Sequence, residues 1–182
     1  MTRIPYRDPG NFPAGEWTFS QTATRKGIAN VPDHRQWRVI SDMSREVCQP
    51  ARDALGPLRI SSGYRSPDLN IAIGGSRRSD HCIPPRPAGP FKQTGAVDLI
   101  PLKATLWELW LCLYRLTPWA KIIWEFDRWV HVSYCTNIEL AKMQRYSMRA
   151  TKELRADSGR QTTKYEVVTP TELATSLGET IG

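Results

Sequence analysis

Apolar residues recur at three- and four-residue intervals from Trp37 through Ile40, Met43, Val47 and Ala51 to Leu55, a spacing that predicts a helix. Asp33, just after Pro32, stands where such a helix would start, and Gly56-Pro57 ends it. Pro50 interrupts the stripe. It lacks an amide donor and crowds the preceding turn, so the helix is either kinked or split there. A second stripe, Leu106, Leu109, Trp110, Leu113 and Leu116, predicts an amphipathic helix within "ATLWELWLCLYRLTPW". "SPDLNIAI" reads as one or two helical turns, with Ser66 as N-cap and Pro67 in the first position.

Elsewhere the period is two. "LRISSGYRS" predicts a short strand running into a loop, and "GAVDLIP" a second strand that stops at Pro101. "IIWEF" and "WVHVSY", separated by Asp127 and Arg128, predict a hairpin. Alternation along its second strand puts Trp129, His131 and Ser133 on one face and Val130, Val132 and Tyr134 on the other. Residues 1–16, rich in proline and glycine, read as an extended arm, and 17–135 as the main domain. Residues 136–182 read as a polar, partly helical extension, with a helix expected near "IELAKMQRYSMRA" and a loosely attached tail, "TPTELATSLGETIG". The expected architecture is α+β, a small antiparallel sheet packed against the two longer helices.

Composition narrows the function classes. With 182 residues, 40% hydrophobic and 24% charged, the chain can build one sizeable core. The net charge of +7 favours polyanions such as nucleic acid or anionic cell-wall polymers. Its basic residues are scattered, "GGSRRSD" being the one dense cluster, and no nucleic-acid-binding signature accompanies them, so specific nucleic-acid binding is not expected. Cys48, Cys82, Cys112 and Cys135 are widely spaced and read as free thiols rather than a disulfide scaffold. No apolar run follows Arg3 in the way of a signal peptide, and none is long enough to span a bilayer. A chain made in the cytoplasm without a leader is the expectation.

His81, Asp98 and His131 each lie in or beside a short β-rich segment. Two imidazoles and a carboxylate suit a catalytic zinc, which takes three protein ligands and keeps a fourth position open. Composition alone does not single out these three residues. The order of the words around them does more. "ISSGYRSPDLNIAIGGSRRSDH", then "GAVDL", then "WEFDRWVHVSY" resembles the zinc D-alanyl-D-alanine carboxypeptidase family, particularly its bacteriophage-type members. The lead-in "FSQTATRKGIANVP" is similar as well, so that the resemblance covers Trp17 to Tyr134.

The resemblance implies a hedgehog/DD-peptidase-like fold in which His81, Asp98 and His131 bind Zn2+. It implies that Ser79 helps to hold the substrate and that Arg65 lies against the scissile carbonyl or a substrate carboxylate, a role that suits the fixed donors of a guanidinium. Many relatives place a catalytic carboxylate three residues before the second histidine, where this chain has Arg128, which cannot take up a proton. Glu125 and Asp127 are the candidates for that base. A three-residue hairpin loop, Phe126 to Arg128, pairs Glu125 with Trp129 and puts it on the face of His131; a two-residue loop puts it on the opposite face and favours Asp127. Glu125 is preferred, since phage-type relatives also have a glutamate ahead of a Trp-Val-His word.

The chain departs from the family between His81 and Asp98, seventeen positions apart where relatives have a much shorter interval. The simplest reading is an insertion in the 82–94 loop, "IPPRPAGPFK" or its near equivalent. The implied activity is zinc-dependent hydrolysis of peptidoglycan stem peptides, by a D-Ala-D-Ala carboxypeptidase or a related murein endopeptidase. A phage lysis enzyme released through a membrane hole, or one carried in a virion, would reach that substrate without a signal peptide. Two other readings stay open: a non-catalytic zinc-containing binding or virion module of the same fold, and a closed structural zinc site in which Cys82 and Cys135 join the histidines.

Overall fold

The computed structural model describes residues 10–84, 94–135, 146–154 and 161–181. Residues 1–9 of the expected arm and residues 85–93 of the proline-rich loop lie outside the described residues. The arm does not stay extended where it is described: Phe12 is fully buried, and a short helix, α1 (Ala14–Thr18), follows it. After α2 (Gln21–Lys26), α3 (His34–Met43) opens with a capping box between Asp33 and Gln36. The interruption by Pro50 takes the form of a π-helical turn, Ser44–Cys48, in which the Gln49 amide reaches back to the Ser44 carbonyl before α4 (Gln49–Leu55) resumes. The wider turn lets the helix absorb Pro50 without losing its buried stripe.

β1 (Leu58–Ser62), α5 (Pro67–Ala72), β2 (Thr94–Pro101), α6 (Leu106–Leu116), β3 (Lys121–Glu125) and β4 (Trp129–Cys135) follow, each on its sequence-predicted segment. Leu116, assigned to the apolar stripe, is exposed in the last turn of α6, and the buried face is made by Trp107, Leu109, Trp110 and Leu113 instead. Beyond them the chain forms β5 (Tyr146–Leu154), β6 (Gln161–Val167) and α7 (Pro170–Leu177). The helix expected over Ile138 to Ala150 is therefore corrected where it is described, because from Tyr146 the chain is a strand. Pairing with β3 and β6, which a local pattern does not reveal, overrides helix propensity there. The tail is not loose either: Leu173 is completely buried.

The fold is α+β, and the six strands form one sheet in the order β1-β2-β4-β3-β5-β6. It is mixed rather than purely antiparallel, because β5 runs parallel to β3. Alternation divides the sheet into two faces. Val97, Leu99, Ile122, Trp124, Val130 and Val132 join the buried core with residues of α3, α4 and α6. Gly95 is part of this packing: a Cβ there would meet Met43 Sδ at 2.7 Å and Val39 Cγ1 at 3.0 Å, so a larger residue would push α3 off β2. The other face carries Asp98, His131, Ser133, Lys121, Ile123 and Glu125, set in rows by the cross-strand pairs Asp98–His131, His131–Ile123, Ser133–Lys121 and Trp129–Glu125.

Candidate metal centre

Three segments bring the polar side chains together. β1 pairs Ile60 with Leu99 on the core side, then a bulge at Ser61 shifts the register so that Ser62 pairs with Asp98. The chain leaves the bulge through Gly63, whose position admits no side chain, since a Cβ would lie 2.5 Å from the Trp17 carbonyl oxygen. Buried Asn30 ties this loop to the lead-in segment, donating to the Thr18 and Tyr64 carbonyls and accepting from the Ser66 amide. The Arg65 amide in turn donates to the His81 carbonyl at 3.0 Å. Gln36 of α3 donates to the Ile83 carbonyl at 2.6 Å, pinning the segment that carries His81.

The hairpin settles the position of Glu125. Its loop has three residues, Phe126 to Arg128, and Glu125 pairs with Trp129, which puts it on the face of His131. Phe126 and Asp127 both adopt the left-handed conformation, at φ 56° and 55°, which is unfavourable for a bulky Phe. The Phe126 ring packs edge-on against Trp129 and beneath Lys152 Nζ, and its amide donates to the Ala150 carbonyl. These contacts hold a turn that local preference opposes. Asp127 is not brought to the site: it is exposed in the turn, where its carboxylate accepts from Trp124 Nε1 at 2.5 Å.

His81, Asp98 and His131 are all buried, and one donor atom from each lies within 4.8 Å of the others. Their hydrogen bonds fix which atoms face inward. His81 Nδ1 is 2.7 Å from the Gly63 carbonyl, which can only accept, so Nδ1 carries the proton and Nε2 turns a lone pair toward Asp98 Oδ1, 3.3 Å away. Ser133 donates its hydroxyl proton to Asp80 at 2.6 Å and so accepts from His131 Nε2 at 3.0 Å. That leaves the lone pair on His131 Nδ1 directed at the same Asp98 oxygen, at 2.8 Å. Two imidazole lone pairs and a carboxylate converge on one point with no hydrogen between them. Such a donor set fits a cation, and its composition suits zinc.

Electrostatics keep the donors in the required state. Burial pushes the His81 pKa down against the pull of Asp98, favouring the neutral imidazole. Burial alone would raise the Asp98 carboxyl; positive charge on the imidazoles beside it outweighs burial and holds Asp98 well below the usual carboxylate range, and a cation seated between neutral imidazoles would favour the carboxylate in the same way. Asp80 is likewise held low, the Lys121 ammonium at 2.6 Å overcoming the effect of burial. Lys121, Asp80, Ser133 and His131 thus form one hydrogen-bonded chain that orients the second imidazole. The sequence reading missed this support, although Asp80 sits inside the same Ser-Asp-His word as His81.

A cavity of about 510 Å³ opens over these donors. Arg65, Ser79, Glu125, His81, Asp98 and His131 all line it, so every sequence-nominated site residue except Asp127 meets there. Burial raises the Glu125 carboxyl above its ordinary value, with a further push from the Asp98 charge, while Trp129 Nε1 donates to its Oε2 at 2.8 Å. Arg65 lines the cavity, and its Nε is buried with no acceptor among the described residues. No cysteine belongs to the converging group among the described residues. Met148 and Tyr165, on strands the sequence reading did not identify, line the cavity too.

A search of curated proteins finds no match to the chain. A family model described as Peptidase M15 matches residues 10–133, a segment that contains the three converging donors, Arg65, Ser79 and Glu125. That match covers more than half of the chain, which therefore belongs to the peptidase M15 family of zinc metallopeptidases.

Proposed function

We propose that the protein is a zinc-dependent peptidase that hydrolyses peptidoglycan stem peptides, as a D-Ala-D-Ala carboxypeptidase or a related murein endopeptidase. The observation that carries this reading is the convergence of His81, Asp98 and His131 on one point at the floor of a cavity that also holds a half-buried carboxylate, Glu125. His81 Nε2, Asp98 Oδ1 and His131 Nδ1 would hold the ion. Bound there, zinc supplies Lewis acidity toward a carbonyl oxygen and makes water a better nucleophile.

The remaining work falls to the chain's own groups. Glu125, with its raised pKa, takes the proton of the attacking water and passes it to the leaving amine. Arg65, at the cavity wall, offers its guanidinium to the scissile carbonyl or to a substrate carboxylate, and Ser79 borders the bound peptide. The basic net charge suits adsorption to anionic wall polymers. Among the described residues no helix is long and apolar enough to cross a membrane. A role as a phage wall-degrading enzyme, made in the cytoplasm and acting on the wall after phage-mediated release or within a virion, follows from the phage-type sequence words.

Digestion of purified muropeptides with mass analysis of the products tests the reading. Wild type should yield fragments carrying one added water, His131→Ala should leave the muropeptides intact, and Glu125→Gln should cleave them at least about a hundredfold more slowly. A zinc-loaded wild type that leaves them intact overturns the catalytic reading and favours a non-catalytic binding module.

A further inference from the structure

The family match ends at residue 133, yet the cavity does not. β5 continues the sheet beyond β3, and β6 continues it beyond β5, so the rows of the cleft face run on into residues outside the match. Register places them there. Ile123, next to His131, pairs with Met148, and Met148 pairs with Val167; Glu125 pairs with Ala150, and Ala150 pairs with Tyr165. Residues paired directly across a ladder share a face, so Met148 and Tyr165 stand on the face of His131 and Glu125.

The residue between Glu125 and Tyr165 is the small, buried Ala150, which leaves the space over it open to the phenol ring. Tyr165 itself is 50% exposed and lines the cavity that holds Glu125 and Asp98. Across that cavity the loop carrying Arg78 and Ser79 is polar, whereas this side presents Ile123, Met148 and Tyr165. The cleft thus has one cationic, hydrogen-bonding wall and one apolar wall tipped with a single hydroxyl.

We propose that Tyr165 is a substrate-contacting residue of the peptidase: its ring and Met148 form the wall on which small apolar side chains of the peptide pack, and its hydroxyl donates to the peptide backbone. The inference rests on the peptidase reading above. A phenol suits the donor role because burial and the nearby Glu125 and Asp98 charges keep it protonated. No other ring of β5 or β6 among the described residues lines the cavity.

The test uses the zinc-loaded full chain and a synthetic stem pentapeptide ending in D-Ala-D-Ala. Removing one neutral hydrogen bond to substrate, Tyr165→Phe should lower kcat/KM about three- to tenfold, and Tyr165→Ala, which also removes the wall, about ten- to a hundredfold. Zinc affinity should stay within about twofold of wild type in both, since Tyr165 is no ligand. Peptide binding, measured by calorimetry in the inactive Glu125→Gln background, should weaken in parallel for Tyr165→Ala. Unchanged kcat/KM in both variants, or a loss that tracks reduced zinc affinity, overturns the role of Tyr165 while leaving the peptidase reading intact. If wild type cleaves neither the pentapeptide nor purified muropeptides, both fall together.

Discussion

The two faces of the central sheet are made by alternate residues of the same strands, and they tolerate opposite things. On β4, Val130 and Val132 are completely buried against the helices, while His131 and Ser133, one position away, are buried among polar partners. The core face needs volume and shape, so any well-fitting apolar side chain could serve there. The cleft face needs particular atoms: each imidazole has one nitrogen engaged by a fixed acceptor so that the other turns toward Asp98. A strand with period two lets one short sequence satisfy both demands.

Substitutions on the two faces should therefore separate chemistry from stability. The largest effect is expected from Glu125→Gln, which removes a proton acceptor and leaves size and the Trp129 contact: turnover should fall about 10²- to 10⁴-fold with zinc content and melting temperature nearly unchanged. The pH profile gives the sign. Burial raises the Glu125 pKa, and a base works only when deprotonated, so wild-type kcat/KM should fall as pH drops through a value above that of an ordinary glutamate. That acid limb should be absent from the residual activity of Glu125→Gln.

Next in size, Leu99→Ala on the core face should cost about 2–5 kcal/mol, read as a lower denaturant midpoint, because Leu99 is completely buried. The folded fraction should still bind zinc with wild-type affinity. Smaller again, Ser133→Ala breaks the link between His131 and Asp80 and should weaken zinc binding about 10- to 100-fold without loss of fold. Restoration by Ser133→Thr would show that the hydroxyl matters rather than the packing. A Leu99→Ala protein that loses zinc affinity while folded, or a Ser133→Ala protein that keeps it, would dissolve the distinction between the faces.

The same contrast explains what could be read from the sequence. Helix stripes, caps and the His131 strand depend on neighbours a few residues apart, and Asp33, Ser66 and the alternation of "WVHVSY" carry them openly. The position of Glu125 depended on the length of a turn, which two left-handed residues decide, and Phe126 gives no hint that it would adopt that conformation. β5 and β6 depend on pairing across distant segments, with β5 parallel to β3. Their charged and polar residues hid that pairing, and with it Met148 and Tyr165. The chain linking Lys121, Asp80 and Ser133 was hidden for the same reason, since its members come from three separate parts of the sequence.

Calorimetric titration of the metal-free protein with Zn2+ addresses the metal centre most directly, comparing wild type with Asp98→Asn and with a Cys82→Ser/Cys135→Ser double variant. The convergence of lone pairs on Asp98 Oδ1 predicts one tight equivalent in wild type and in the cysteine variant, and binding weakened by at least about a hundredfold in Asp98→Asn. Wild-type affinity in Asp98→Asn, or loss of binding in the cysteine variant, would contradict a zinc site built from His81, Asp98 and His131.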